Sequence, residues 1–398
     1  MSLLDKHRPT ADRVAALGPG PMPFDTVIDE VLSASEVLID GRRTLMCGSN
    51  NYLGLTFHPD VIEAAHRAID HWGSATTGSR AANGSFDSHR RLERAFAALY
   101  GVAYARIFTT GYQANAAILS GLCGPDDAIV LDLESHASLY DGAKLSGATT
   151  YGFRHNSPSD LRRKLARVSR PGRTLVVVEG LYSMSGDVAP LVEIAAACQD
   201  VGAYLLVDEA HSFGAYGPRG LGCAEQQGVI ERVDFIVGTF SKSLAGVGGF
   251  CVSRHDALEW LHYTARPYVF TASSSPSSIA AVEAALRVQQ RDGSLRQRLW
   301  DNVKRARAGL EAAGFRLGAH ESPIVSIEVG TADAAVRFWR MLLERGVYVN
   351  VVLPPACRPE SCLLRTSYTS AHSADQIDRA VSALAEVGRS LSIVPVVV

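Results

Sequence analysis

The stretch Phe235–Phe250 reads FIVGTFSKSLAGVGGF. A continuous apolar run ends in hydroxyl residues, and a single cation, Lys242, follows between Ser241 and Ser243. Runs that are apolar at every position, not every second one, suit strands buried on both faces of a mostly parallel sheet. Working outward, the same reading predicts strands at Ala105–Phe108, Ala128–Leu131, Thr149–Phe153, Thr174–Glu179, Tyr204–Asp208, Asp234–Val237 and Gly249–Val252. Amphipathic stretches such as Ser157–Val168 and Leu191–Val201 lie between them. That alternation predicts an α/β fold, a mostly parallel seven-stranded sheet with helices on both faces. The glycines of Gly246–Phe250 read as a turn before a strand.

Beyond about Pro276 the character changes. Ser277–Gly314 reads as one long helix or a broken pair, followed by short strands at Ile324–Glu328 and Tyr348–Val352 and a helix at Ala374–Ser390. This predicts a smaller α+β C-terminal domain. The expected division is 1–57 as an N-terminal arm with part of the small domain, 58–285 as the large domain and 286–398 as the C-terminal small domain.

Bulk properties narrow the function. Lys and Arg number 39 against 41 Asp and Glu, a net charge of −2, so no electrostatic footprint for nucleic acid is present. No apolar run approaches the ~20 residues that span a bilayer, and the charged N-terminus does not read as a signal peptide. The expected location is the cytoplasm, with peripheral membrane contact left open. The seven cysteines, at 47, 123, 198, 223, 251, 357 and 362, are scattered and show no metal-ligand spacing. Reduced thiols and no metal site are expected.

In open parallel sheets, ligands bind beyond the carboxyl ends of the strands. The residues placed there are TTGYQAN (Thr109–Asn115), DLESHASLYDG with His136, EGLYSMSGD (Glu179–Asp187), DEAHSFG with Asp208 and His211, and GTFSKS with Lys242. Each has a bland reading: a lone His is usually structural, a lone Asp after a strand is commonly a helix cap, and a lone Lys is usually solvated. Together they form a constellation. A sequestered lysine is an amine nucleophile that condenses with an aldehyde. Pyridoxal 5'-phosphate is the cofactor that needs such a lysine and a carboxylate at its ring nitrogen. Asp208 suits that carboxylate, His211 the phenolic oxygen and His136 the ring face. Gly111 and Tyr112 at a helix start, with the hydroxyls of Thr239 and Ser241, suit the phosphate. No GxGxxG follows the first strands, which argues against a nicotinamide dehydrogenase.

DEAHSFG followed by GTFSKS resembles the α-oxoamine synthases, fold-type I pyridoxal-phosphate enzymes. NNYLGLTFHPDV (Asn50–Val61), GSRAANGSFDSHRRLE (Gly78–Glu93), RPYVFTAS (Arg266–Ser273) and LLRTSYTSAHS (Leu363–Ser373) carry the likeness along nearly the whole chain. The resemblance implies that Lys242 joins the cofactor aldehyde and that Thr271 reaches the phosphate of a partner subunit's cofactor. It also implies that Asn51 and Arg365 bind the amino-acid carboxylate, and that the protein is a homodimer with shared active sites. The implied reaction is decarboxylative condensation of an amino acid with an acyl-CoA to a 2-amino ketone.

Within the family, FRHNS (Phe153–Ser157) and VYVNVVLPPA (Val347–Ala356) are similar to the branch that joins L-serine to a long acyl chain. That branch has Arg-Pro-Pro where this chain has Leu353-Pro354-Pro355, and leucine cannot pair with a carboxylate. Glycine or alanine as substrate, or another acyl thioester, therefore stays open. An aminotransferase and a non-catalytic partner subunit are the remaining rivals.

Overall fold

A computed structural model describes residues 2–168, 170–318 and 321–395. The chain divides into two compact units. One comprises residues 1–49, 184–186 and 300–398, and the other 50–183 and 187–299. The sequence reading placed its divisions near 57 and 285.

The first unit holds two small sheets. Strands β1 (Glu30–Val31), β2 (Glu36–Ile39) and β3 (Arg42–Met46) form an antiparallel meander.

The second unit is built on β4 (Tyr104–Phe108), β5 (Ala128–Asp132), β6 (Thr149–Phe153), β7 (Thr174–Glu179), β8 (Tyr204–Asp208), β9 (Phe235–Thr239) and β10 (Gly249–Ser253). Their order is β4-β10-β9-β8-β7-β5-β6. The five strands from β9 to β6 run parallel, while β10 is antiparallel to both β9 and β4. Parallel neighbours need a crossover of a dozen or more residues, and the loop 240–248 is too short for one. The chain therefore turns straight back, and this return loop carries Lys242.

All seven expected strands form. One boundary moves for a clear reason. Asp234 lies outside β9, because its carboxylate accepts Leu205 N–H at 2.8 Å and pairs with His255 Nε2 at 2.8 Å.

Alternate residues of these strands, among them Ile129, Leu131, Leu175, Val177, Leu206 and Val237, face one buried cluster. The helix Gly111–Leu122 packs Ala114, Ala117 and Ile118 into it, its small side chains letting the helix lie close to the sheet. Elsewhere in this unit Phe96 stacks on Phe250 at 4.2 Å and on Phe240 at 5.5 Å, with Phe213 at 6.0 Å. Among the described residues, no helix is long and apolar enough to cross a membrane.

Back in the first unit, β11 (Ile324–Gly330), β13 (Asn350–Val352) and β14 (Cys362–Ser367) form a three-stranded sheet, and β12 (Val347–Tyr348) joins β3 in parallel. The single strand expected at Tyr348–Val352 is thus split between two sheets. The stretch expected as one helix or a broken pair is a pair, Pro276–Arg291 and Ser294–Ala312. Asp292 accepts Ser294 N–H at 3.0 Å and so starts the second helix.

Replacing Phe96, which is fully buried in this ring cluster, with alanine should destabilise the protein by about 3–5 kcal/mol. Urea unfolding checks this; a loss near zero would show that the stack does not hold the sheet.

Candidate active site

The loops beyond the carboxyl ends of β5, β7, β8 and β9 lie side by side because those strands are neighbours in one parallel array. Asp208 ends β8 and is paired in register with Glu179, which ends β7. Both are buried. Asp208 accepts Ala210 N–H at 2.9 Å on one oxygen and Asn115 Nδ2–H at 2.6 Å on the other.

Asn115 also lies 3.0 Å from Ser138 Oγ, which is 2.7 Å from His136 Nδ1. A chain of hydrogen bonds thus runs from Asp208 through Asn115 and Ser138 to His136. It fixes the carboxylate and the imidazole relative to one another.

His136 starts the helix Ala137–Ser146, its Nδ1 accepting Ser138 N–H at 3.2 Å. Its residue is exposed, yet loss of hydration at the ring pushes its pKa down; Asp208 opposes this shift and Lys242 adds to it. Lys242 is half-buried, and its charge also lowers the pKa of Glu179. The amine is therefore close enough to influence both groups. His211 is buried, with Nδ1 2.8 Å from the Tyr52 hydroxyl.

A second group gathers at the start of the helix Gly111–Leu122. Thr239 Oγ1 is 2.9 Å from Ser241 Oγ and donates to Gly248 O at 3.0 Å. A Cβ on Gly111 would come within 2.9 Å of Thr239 Cβ, so only glycine lets the helix start meet these hydroxyls. Tyr112 follows; its hydroxyl donates to Asp141 and its ring lies edge-on to His136 at 6.5 Å. Main-chain N–H groups at a helix start beside two hydroxyls are the donor set that a phosphate needs. A lysine near a buried aspartate and an imidazole supplies the rest of what an aldehyde-bearing pyridine ring requires, so these residues fit pyridoxal 5'-phosphate.

The other expected residues are placed as follows. Thr271 lines a small cavity with Thr109 and Gln113. Asn51 is buried and donates from Nδ2 to Thr56 Oγ1 at 2.8 Å. Arg365 is buried on β14, in the other unit. Sequence reasoning missed the parts played by Asn115, Ser138 and Tyr52. Asn115, a polar residue among the small apolar residues Ala114, Ala116 and Ala117, was the one visible signal.

Beside the site, His155 Nδ1 is 2.9 Å from Asp132 Oδ1 and Nε2 is 3.4 Å from Asp187 Oδ2. Burial works to lower the pKa of His155, but the bonds to Asp132 and Asp187 with the charges of Asp132 and Glu134 outweigh it and lift the pKa to about 10. The folded pKa exceeds the ordinary 6.5, so this pairing stabilises the fold fully below about 6.5 and ceases to as pH rises through about 10. Wild-type protein should therefore lose more stability between about pH 6 and 10 than His155→Gln, read as urea midpoints; equal losses would contradict the charged pairing.

The chain matches the family model for aminotransferase class I and II over residues 44–384. It is 49% identical over 396 residues to a serine palmitoyltransferase of Caulobacter vibrioides, covering 99% of this chain and 98% of that protein. A solved Sphingomonas wittichii serine palmitoyltransferase superposes with a TM-score of 0.96 at 45% identity, over 99% of this chain and all of the other. A further solved structure, of a serine palmitoyltransferase with the PLP internal aldimine, gives a TM-score of 0.96 at 42% identity, again over 99% and 100%.

Proposed function

This chain belongs to the aminotransferase class I and II family, on its α-oxoamine synthase branch, and we propose from that premise that it is a serine palmitoyltransferase. The reaction is the pyridoxal-phosphate-dependent condensation of L-serine with a long-chain acyl-CoA, with loss of CO2 and CoA, to 3-ketosphinganine. The observation that carries this reading is the hydrogen-bonded line Asp208–Asn115–Ser138–His136 beside Lys242, in a chain almost half identical to a serine palmitoyltransferase along its length.

Lys242 would hold the cofactor aldehyde, Asp208 the ring nitrogen, His211 the phenolic oxygen and His136 the ring face. Gly111, Tyr112, Thr239 and Ser241 would hold the phosphate, with Thr271 reaching the phosphate bound by a partner subunit of a homodimer. When bound, pyridoxal phosphate supplies an electron sink for negative charge on the α-carbon of the amino acid.

The remaining work falls to the protein. The Lys242 amine takes the α-proton, acting as general base. Asp208 keeps the ring nitrogen protonated, and Asn115 Nδ2–H holds that carboxylate in place. Tyr52 holds His211 through its Nδ1. His136, fixed through Ser138, polarises the thioester carbonyl. Asn51, buried beside Thr56, would bind the serine carboxylate.

Lys242→Ala should abolish release of free thiol from palmitoyl-CoA in the presence of L-serine, a loss of at least about 10³-fold. Turnover near the wild-type rate would contradict this scheme. Wild-type protein given single amino acids tests the substrate, with serine expected to support thiol release and a product of the mass of 3-ketosphinganine. Preference for glycine or alanine would move the protein to another α-oxoamine synthase activity.

A further inference from the structure

Glu179 ends β7 beside the site, and the scheme above leaves it without a task. It is buried, 4% exposed. Its Oε1 accepts the main-chain N–H of His136 at 2.5 Å. This one bond ties the end of β7 to the first turn of the helix after β5.

The short loop that leads to His136 is held at its other end as well. Asp132 accepts Glu134 N–H at 2.8 Å and Asn156 N–H at 2.9 Å and pairs with His155. His136 is thus fixed twice, its backbone by Glu179 and its ring by Ser138.

The groups facing Glu179 are Asp208 on β8, Asp132 on β5, Lys242 in the β9–β10 loop, and Tyr182, whose hydroxyl lies 3.4 Å from Glu179 N. Burial, and then Asp208, lift the pKa of Glu179 to about 8 against the opposing pull of His136 N–H and Lys242. Burial thus favours the neutral form of the group, which limits the negative charge placed next to Asp208.

We propose that Glu179 is a positioning residue for the condensation, fixing through the His136 main-chain N–H the imidazole that faces the cofactor ring and the thioester. The proposal rests on the function given above. Glu179→Gln keeps a neutral acceptor oxygen of the same reach, whereas Glu179→Met fills the same space with none.

Glu179→Met should lower kcat by about 10²-fold, with KM for serine and palmitoyl-CoA changed by no more than about threefold, because the imidazole is displaced and the substrate sites are not. Glu179→Gln should restore kcat to within about fivefold of wild type. Hydrogen exchange followed by mass spectrometry, on protein without cofactor, gives a readout independent of turnover. The His136 amide should be protected in wild type and in Glu179→Gln, and should exchange about tenfold faster or more in Glu179→Met. Should Glu179→Met fail to fold, Glu179→Asp, which withdraws the carboxyl by one methylene, takes its place.

Equal loss of kcat in the Gln and Met variants, or an unprotected His136 amide in wild-type protein, overturns the proposal. Wild-type protein that releases no thiol overturns the enzymatic reading and the positioning role with it, and amide exchange then reads the contact alone.

Discussion

Four carboxyl groups, Asp132, Glu179, Asp208 and Glu209, are buried at the carboxyl ends of three strands that lie side by side. Like charges placed so close in a dry setting are costly unless each finds hydrogen bonds, a cation or a proton. The loops around the site are shaped by how each of the four is satisfied. Asp132 takes His155 and two main-chain N–H groups. Asp208 takes Asn115 and Ala210 N–H. Glu209 accepts Cys223 N–H at 2.9 Å and Ala224 N–H at 2.7 Å, capping a short helix start, and burial lifts its pKa to about 7. Glu179 takes the His136 N–H, and burial lifts its pKa to about 8.

This distribution explains why one of the four suits a cofactor. Asp208 accepts from the neutral donors Asn115 Nδ2–H and Ala210 N–H, a setting that would suit a carboxylate facing a pyridine nitrogen. Asp132 has its cation in His155 and serves the loop instead. Lys242 enters the same field from a different direction, in the return loop between β9 and β10. That loop is braced by Phe240 N–H on Gly248 O and Gly246 N–H on Phe240 O, and Ser243 Oγ donates to Phe213 O at 2.7 Å. A lysine on a rigid loop loses little further freedom when its amine is used, which favours an exact placement of the nitrogen.

Most of the seven strands were legible in the sequence because a strand buried on both faces leaves an apolar run that ends in polar residues; β6, TTYGF at the sheet edge, is the mixed exception. The groups Asp208, His136, His211 and Lys242 were legible for the same reason, since they follow those runs directly. What stayed hidden was joined across long separations. Asn115 and Asp208, Tyr52 and His211, and His136 and Glu179 meet only once the strands are ordered, and no local spacing encodes that order. The split of Tyr348–Val352 between two sheets was equally invisible, because pairing partners and not composition decide it. Asp234 reads as the first residue of a strand, yet its side chain serves Leu205 and His255.

The account stands on the Lys242 amine being the group that joins the cofactor. Protein incubated with pyridoxal 5'-phosphate, reduced with borohydride, digested and sequenced by mass spectrometry tests this directly. The account predicts a single pyridoxyl-phosphate adduct, on the peptide that contains Lys242, and its loss from Lys242→Ala. An adduct on another lysine, or none at all, would contradict it.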